Sequence, residues 1–157
     1  MYDLILNSNG TLSLSCNGKA TIHPSPIGIL VHAGIAYAPL SASVCGETVT
    51  VRYSCGDCVL SVQKKNSYHT LTLLQAPENA DGFTFGPYRT DGTEAGELVG
   101  AAWHEDGSVV CIQSLMPKVI SGFGGPIAEN KTGMDLGMET EAASEYQGTV
   151  YLKLVVS

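Results

Sequence analysis

Two closely spaced cysteines form the motif that most directly suggests chemistry. Cys55 and Cys58 enclose Gly56-Asp57 in a C-x-x-C spacing, which serves redox enzymes when the first thiolate begins a helix and serves zinc when further ligands lie nearby. The flanking residues alternate as in strands, and the remaining cysteines and histidines include no second close pair of ligands. Packing cysteines are therefore the favoured interpretation, and a disulfide between the two stays open.

The histidines and carboxylates form no catalytic motif. No His-Glu-x-x-His occurs, and no serine lies in Gly-x-Ser-x-Gly. Asp135, Glu139 and Glu141 could offer oxygen ligands to calcium, but their spacing is not that of an EF-hand loop. Carboxylates are so abundant that no acid/base pair for glycoside hydrolysis stands out. We predict no catalytic residue within this chain, no metal site and no cofactor.

Four aromatic and polar residues could recognise a sugar. Sugar-binding surfaces combine an aromatic platform with polar forks, and such groups are supplied by Phe85, Tyr88, Arg89 and Trp103. The alternative is that Phe85 and Trp103 anchor the core, as large aromatic side chains usually do. We take the four as candidate carbohydrate-binding or domain-interface residues.

Composition narrows the class of protein. The chain has 157 residues, of which 44% are hydrophobic and 15% are charged, against roughly 25% charged in an ordinary soluble domain. This length suits one domain with one core. The net charge is −7, from 15 acids and 8 bases, and the longest basic run is Lys64-Lys65, so we expect no nucleic-acid partner. No apolar run approaches the roughly 20 residues of a membrane span. Five cysteines, an odd number, slightly favour a cytoplasmic location.

The elements that would position these residues are strands. Asn9-Gly10 and Asn17-Gly18 are turn signals that flank an alternating run and predict a hairpin at the start of the chain. Residues 23–39 are apolar but punctuated by Pro and Gly, which predicts short, buried strand pieces. Between Glu47 and Lys65 a hairpin is predicted with Gly56-Asp57 as its two-residue loop.

That loop sets a definite register for the second hairpin. Tyr53 would oppose Leu60, and Val51 would oppose Val62, which makes one face apolar. The opposite face, which carries Arg52, would be polar and exposed to solvent. In this register Cys55 and Cys58 would lie across the turn, within disulfide range.

The second half of the chain is less regular. Residues 97–115 predict a hairpin whose strands are apolar on both faces, which suits strands covered on both sides. Residues 148–156 predict the final strand. Residues 75–96 and 116–146 are left as long connections, with a short helix over 139–146 as an option. The predicted fold class is all-β, an antiparallel β-sandwich with at most one or two short helices.

Three segments, taken in order, resemble a known family. They are Phe83-Thr84-Phe85-Gly86-Pro87-Tyr88, Gly96-Glu97-Leu98-Val99-Gly100, and Val110-Cys111-Ile112-Gln113-Ser114-Leu115-Met116-Pro117-Lys118. They resemble the N-terminal galactose-mutarotase-like β-sandwich domain of large multidomain bacterial glycoside hydrolases, over residues 82–122. The resemblance implies a galactose-mutarotase-like supersandwich over 1–157, an N-terminal fragment of a longer enzyme. The catalytic carboxylates would then lie in a domain outside this chain, and Glu97, the one matched carboxylate, would be structural.

The expected function follows from that resemblance. It is a noncatalytic domain of a glycoside hydrolase that packs on the catalytic domain of the same parent chain and completes its sugar site. The alternative is a free-standing carbohydrate-binding module that stacks sugars on Tyr88 and Trp103. A complete small enzyme is the third reading, and it rests only on the surplus of carboxylates and histidines.

Overall fold

A computed structural model describes residues 2–78, 80–91, 94–96, 100–103, 107, 109–114, 119–124, 134–140 and 149–152. Within these ranges every regular element is a β-strand, and no helix is long and apolar enough to cross a membrane. The strands are β1 Tyr2–Leu6, β2 Thr11–Cys16, β3 Lys19–Pro26, β4 Gly28–His32, β5 Ile35–Tyr37, β6 Ser41–Cys45, β7 Thr48–Tyr53, β8 Gly56–Lys64, β9 His69–Gln75, β10 Ala80–Thr90, β11 Glu94–Gly96, β12 Gly100–Trp103, β13 Val109–Ser114, β14 Val119–Gly124, β15 Met134–Thr140 and β16 Thr149–Leu152.

The strands form two sheets. The first has the order β1-β2-β3-β10-β15-β14, with β4 paired to β10 and β5 paired to β4. The second has the order β11-β12-β13-β16-β9-β8-β7-β6. Every pairing between the described strands is antiparallel. The predicted all-β fold class, an antiparallel β-sandwich, is confirmed.

The core forms where the apolar faces of the two sheets meet. Alternate residues of β2 and of β7 are buried, while the residues between them reach solvent to varying degrees. This two-residue period is what a strand with one covered face requires. Complete burial of each such Leu, Ile or Val contributes about 1.5–3 kcal/mol. The most deeply buried aliphatic residues are Leu12, Leu14, Ile22, Ile27, Leu30, Val49, Val51, Leu60, Leu71, Leu73 and Ile112.

The opening hairpin is confirmed. Leu6 opposes Leu12, and the turn between them contains Gly10 at φ +84°, where an added Cβ would lie 2.5 Å from the Cβ of Pro39. The second turn is also confirmed, because Asn17 and Gly18 both have positive φ between β2 and β3, as a two-residue type I′ loop requires. Residues 23–39 do form short strand pieces, although β5 is largely exposed.

The β7–β8 hairpin forms, but its predicted loop was wrong. The turn is Ser54-Cys55, so Tyr53 opposes Gly56 instead of Leu60. Gly56 adopts φ +143°, a conformation that favours glycine, and an added Cβ would lie 2.8 Å from Pro77 Cγ. The register therefore differs by four residues, from 60 to 56. Because four is an even number, every side chain keeps its predicted face, and the apolar face is the buried one.

The first predicted connection, 75–96, was also wrong, because it contains β10, which pairs with β3, β4 and β15. Gly82 and the Gly86-Pro87 pair interrupt its alternation, so the sequence pattern is lost. The pairing with β15 shifts between Phe85 and Tyr88. This β-bulge lets two aromatic residues three positions apart both enter the core.

The second predicted connection, 116–146, contains β14 and β15. The optional helix over 139–146 is wrong where it can be compared, since Glu139 and Thr140 belong to β15, and residues 141–146 lie outside the described part. β12 and β13 pair as the predicted hairpin. Coverage of β13 on both sides is not found, because Val110 and Ile112 are buried while Gln113 is exposed. β16 confirms the final strand over Thr149–Leu152.

Candidate functional site

Two of the predicted site residues lie in the core. Phe85 and Tyr88 are each 1% exposed. Phe85 packs edge-to-face against Phe83, with ring centroids 4.9 Å apart. The Tyr88 hydroxyl donates a hydrogen bond to the Ile27 carbonyl at 2.9 Å, and burial raises the pKa of Tyr88. Neither ring presents a face to solvent, so neither enters the site proposed below, and the core-anchor alternative holds for Phe85.

The other two predicted residues lie on different sheets. Arg89 is half-buried near the end of β10 in the first sheet. Trp103 ends β12 in the second sheet, where its register partners are Glu94 and Val109. The four residues therefore do not form one platform along a single strand or sheet.

Arg89 belongs to a polar surface that the sequence did not reveal. Thr90 of β10 opposes Ile22 of β3, and both are buried. Arg89, Asp91 and His23 flank this pair on the opposite, outer face of the first sheet. There His23 Nε2 and Asp91 Oδ2 are 2.7 Å apart, and both side chains reach solvent. We call His23, Arg89 and Asp91 the β10 polar face.

A buried serine holds the backbone under this face. Ser25 is 3% exposed, and its hydroxyl donates to the His23 carbonyl at 2.7 Å. The same oxygen accepts the Arg89 N–H at 2.8 Å. The Ser25 side chain thus bridges β3 to β10 through the backbone of the two residues, His23 and Arg89, whose side chains lie on the polar face. Such support fixes the relative positions of ligand-contacting groups before a ligand arrives.

The neighbouring strand β15 pairs with β10 beside this face. Asp135 is the register partner of Arg89, and Glu139 is the register partner of Thr84. In the β10 polar face itself, the Arg89 fork supplies rigid hydrogen-bond donors and the Asp91 carboxylate supplies acceptors. Among the residues that the structure describes, no group of three His, Cys, Asp or Glu side chains could hold a metal ion.

A second surface of interest is the edge strand β6. Ala42 opposes Val51 and Val44 opposes Val49, and both β7 partners are fully buried. Leu40 extends this pairing, because its N–H donates to the Arg52 carbonyl at 2.7 Å. Leu40, Ala42 and Val44 therefore continue the core face of the second sheet to its edge. We call these three residues the β6 strip.

Leu40 and Val44 of the β6 strip are not covered by the first sheet, whereas Ala42 is partly buried and packs against the core. Leu40 is 60% exposed and Val44 is 51% exposed, so these two apolar side chains on the core face of the sheet meet water. A backbone hydrogen bond links the strip to the turn between β1 and β2 of the first sheet, because the Ala42 N–H donates to the Ser8 carbonyl at 2.8 Å. Apolar groups that extend a core face into solvent are typical of surfaces that another protein segment covers.

The cysteines differ in burial, and Cys16 and Cys58 are the two that are buried. None of the five, all of which lie within the described residues, forms a disulfide. Cys58 faces the core opposite Val51, while Cys55 lies in the turn, so the two do not oppose each other across the hairpin. Burial, followed by the proximity of Cys55 and Asp57, raises the pKa of Cys58 to about 12. A thiol that stays protonated at neutral pH is a poor nucleophile, so Cys58 is suited to packing in the core.

Comparison with known proteins adds no relatives. No family model matches the chain, no curated protein matches it, and no solved structure matches it. The fold class therefore rests on the strand pairing of the two sheets, and the candidate site rests on the distances between its residues.

His23, Ser25 and Asp91 were missed from the sequence for a structural reason. The spacing of His23 and Ser25 is visible in β3, but their partners lie in β10, within a stretch that the sequence pattern left as a connection. Only the β3–β10 pairing brings His23 and Ser25 next to Arg89 and Asp91.

Proposed function

We propose that this chain is the noncatalytic β-sandwich domain of a glycoside hydrolase, which packs on a catalytic domain of the same parent chain and completes its sugar site. The resemblance of segments 83–88, 96–100 and 110–118 to galactose-mutarotase-like domains supports this proposal, as does the two-sheet antiparallel fold. The observation that carries it is the β6 strip, an apolar surface at a sheet edge.

Nothing in the described structure covers the side chains of Leu40 and Val44 on the β6 strip. Covering exposed Leu and Val side chains is favourable by about 25 cal/mol per Å² of apolar area. An uncovered edge strand is also a template for unwanted pairing, which proteins normally prevent with charges or a covering segment. β6 has the sequence Ser-Ala-Ser-Val-Cys, with no charged residue. A neighbouring domain resolves both problems, and it agrees with a charged fraction of 15% for the whole chain.

Hydrogen exchange tests the docking surface. The exchange rates of the β6 amides are compared between the 157-residue chain and the longer parent protein that this proposal requires. We expect slower exchange in the longer protein at Ser41–Cys45, with little change at β1, an edge strand of the other sheet. Equal exchange of β6 in both proteins would contradict the proposal.

Substitutions give an independent readout in the longer protein. Leu40→Ser combined with Val44→Ser should raise the KM for a glycoside substrate and increase proteolysis between the domains. Ile5→Ser is the matched control, because Ile5 is 49% exposed but lies on the outer face of the first sheet. If the control and the β6 variant behave alike, the strip is not the interface.

The β10 polar face favours a second candidate, a free-standing carbohydrate-binding module. Its donors and acceptors are solvent-accessible and held in place by Ser25. A small polar site of this kind suits affinities of roughly millimolar or weaker, about −4 kcal/mol. Neither Phe85 nor Tyr88 adds an aromatic platform to it, because both rings are buried.

Calorimetric titration of the chain with a panel of oligosaccharides tests this candidate. Arg89→Lys keeps the charge but removes the planar fork, and Asp91→Asn keeps the shape but removes the ionised acceptor. Each should weaken binding at least fivefold. Asp3→Asn, an exposed carboxylate on the same sheet, serves as the control and should not. The absence of binding by the unmodified chain would remove the candidate.

A further inference from the structure

Two buried polar atoms have no hydrogen-bond partner. They are the Tyr2 hydroxyl and Nδ1 of His69, the only such side-chain atoms in the described part of the chain. Buried polar groups are almost always paired, because a donor that leaves water without a new partner is costly. Two unpaired atoms therefore call for a common explanation if they lie together.

They do lie together, at one end of the sandwich. The rings of Tyr2 and His69 meet edge-to-face with centroids 5.4 Å apart. Lys64 opposes His69 across the β8–β9 pairing, and its Nζ lies 5.8 Å from the centroid of the Tyr2 ring. The cluster thus joins β1 of the first sheet to the β8–β9 hairpin of the second.

The same end carries two adjacent lysines. Lys64, Lys65, Asn66 and Tyr68 line an open depression at the β8–β9 turn. Within the described part of the chain, neither lysine has a carboxylate within 4 Å. Lys65 Nζ donates to Gln63 Oε1 at 3.1 Å, and Gln63 Nε2 donates to Glu47 Oε2 at 3.0 Å, so Lys65 is linked to a carboxylate through Gln63. Lys64 is the cation beside the buried pair, with its ammonium over the Tyr2 ring.

Three side chains of this cluster can donate hydrogen bonds, the Tyr2 hydroxyl, the Lys64 ammonium and the His69 ring. Burial raises the pKa of Tyr2, so its hydroxyl keeps its proton. Burial, and then the charge of Lys64, lowers the pKa of His69, so the ring is neutral near pH 7 and carries one N–H. Lys65 and Asn66 line the adjacent depression, which they share with Lys64.

We propose that the Tyr2–Lys64–His69 cluster, beside the depression that Lys64, Lys65 and Asn66 line, binds an oxyanion. The Lys64 ammonium attracts the charge, and the Tyr2 hydroxyl and the His69 ring, in its Nδ1–H tautomer, supply directed hydrogen bonds to its oxygens. Lys64, an exposed side chain on a flexible stem, moves aside to admit the ion and then pairs with it. A metal cation would be repelled by the two lysines. This site is separate from the β6 strip and the β10 polar face, and it stands or falls independently of both.

Titration with simple anions tests the proposal. Inorganic phosphate, sodium acetate and sodium chloride are added at equal ionic strength, and the His69 ring resonances and the Tm are followed. We expect phosphate or acetate to shift His69 and raise the Tm beyond the effect of chloride. The stronger of the two identifies the group as phosphate-like or carboxylate-like. Responses equal to that of chloride for both anions would overturn the proposal.

Variants separate the site from general charge effects. Lys64→Gln with Lys65→Gln should reduce the anion-dependent gain in Tm at least fivefold. Arg52→Gln, at the opposite end of the β7–β8 hairpin, removes an exposed cation elsewhere and should leave the gain unchanged. Tyr2→Phe should preserve the Tm without anion, since it removes an unpaired hydroxyl, yet it should reduce the anion-dependent gain. Equal gains in all these variants would overturn the assignment.

Discussion

Gly28 is the position where the packing of the first sheet is most sensitive to one added methyl group. A Cβ built on Gly28 would lie 2.1 Å from Cζ and 2.4 Å from Cε1 of Phe83. The backbone there is also held from both sheets, because the Tyr53 hydroxyl donates to the Gly28 carbonyl at 2.7 Å and the Tyr88 hydroxyl donates to the Ile27 carbonyl. The backbone therefore has little freedom to move away from the ring.

The expected cost of Gly28→Ala follows from that geometry. Overpacking a core typically costs about 1–3 kcal/mol, and this contact is far inside the roughly 3.5–4 Å of normal carbon–carbon packing. The gain of about 0.4–1 kcal/mol from a stiffer unfolded chain offsets part of the cost. We expect a net loss of about 1–2.5 kcal/mol in the free energy of unfolding. That corresponds to a fall of roughly 2–10 °C in Tm for a domain of this size.

Urea unfolding of four proteins tests this reasoning: the unmodified chain, Gly28→Ala, Phe83→Leu, and the double variant. Phe83→Leu removes the clashing ring edge and should cost about 1–2 kcal/mol, partly through lost contact with Phe85. The double variant should be more stable than the sum of the single losses by at least about 1 kcal/mol, because the clash is gone. Additive losses, or a Gly28→Ala protein as stable as the unmodified chain, would refute the packing described here.

Three further outcomes are expected. At pH 8 the exposed Cys45 should react rapidly with a thiol reagent, while Cys58, whose pKa is raised to about 12, should react only after unfolding; rapid native reaction of Cys58 would contradict its burial. The folded-state pKa of His69 lies below its unfolded value of 6.5, so its contribution to stability is complete above that pH and is lost as pH falls below it. Urea midpoints at pH 7.5 and 5.5 should therefore differ less in His69→Gln than in the unmodified chain, and an equal difference would exclude this role. Elemental analysis of the purified chain should find no stoichiometric zinc, and one zinc per chain would overturn the packing role of the C-x-x-C cysteines.

Turn chemistry explains why the first hairpins were predictable. Gly10, Asn17 and Gly18 adopt positive φ, and the two turns lie between runs that alternate in polarity, so local sequence decides both the turn and the face. The hairpin at Glu47–Lys65 shows the limit of this logic. The sequence predicts Gly56 as a loop residue, whereas in the structure it follows the turn with a φ of +143°. The space for a side chain at Gly56 is limited by Pro77, which is distant in sequence, so local sequence alone does not show why glycine lies there.

β10 shows what local patterns cannot supply. Its glycines and proline interrupt alternation, and a β-bulge restores the core face only in the context of its partner strands. The candidate site depends on this strand, since the Arg89 N–H reaches Ser25 and Asp91 reaches His23 only through β3–β10 pairing. Arg89 stands out in the sequence as a polar residue beside aromatic ones, whereas its partners do not. The aromatic rings of Phe85 and Tyr88 suggest a platform from the sequence, but both are buried in the core.

The central claim, a noncatalytic domain that serves a glycoside hydrolase, is tested most directly by activity. Hydrolysis of a panel of aryl glycosides is measured for the 157-residue chain alone and for the longer parent protein that the proposal requires. We predict no hydrolysis by the chain alone and hydrolysis by the longer protein, reduced when Leu40 and Val44 are replaced by serine. Hydrolysis by the chain alone, or an inactive longer protein, would contradict the account.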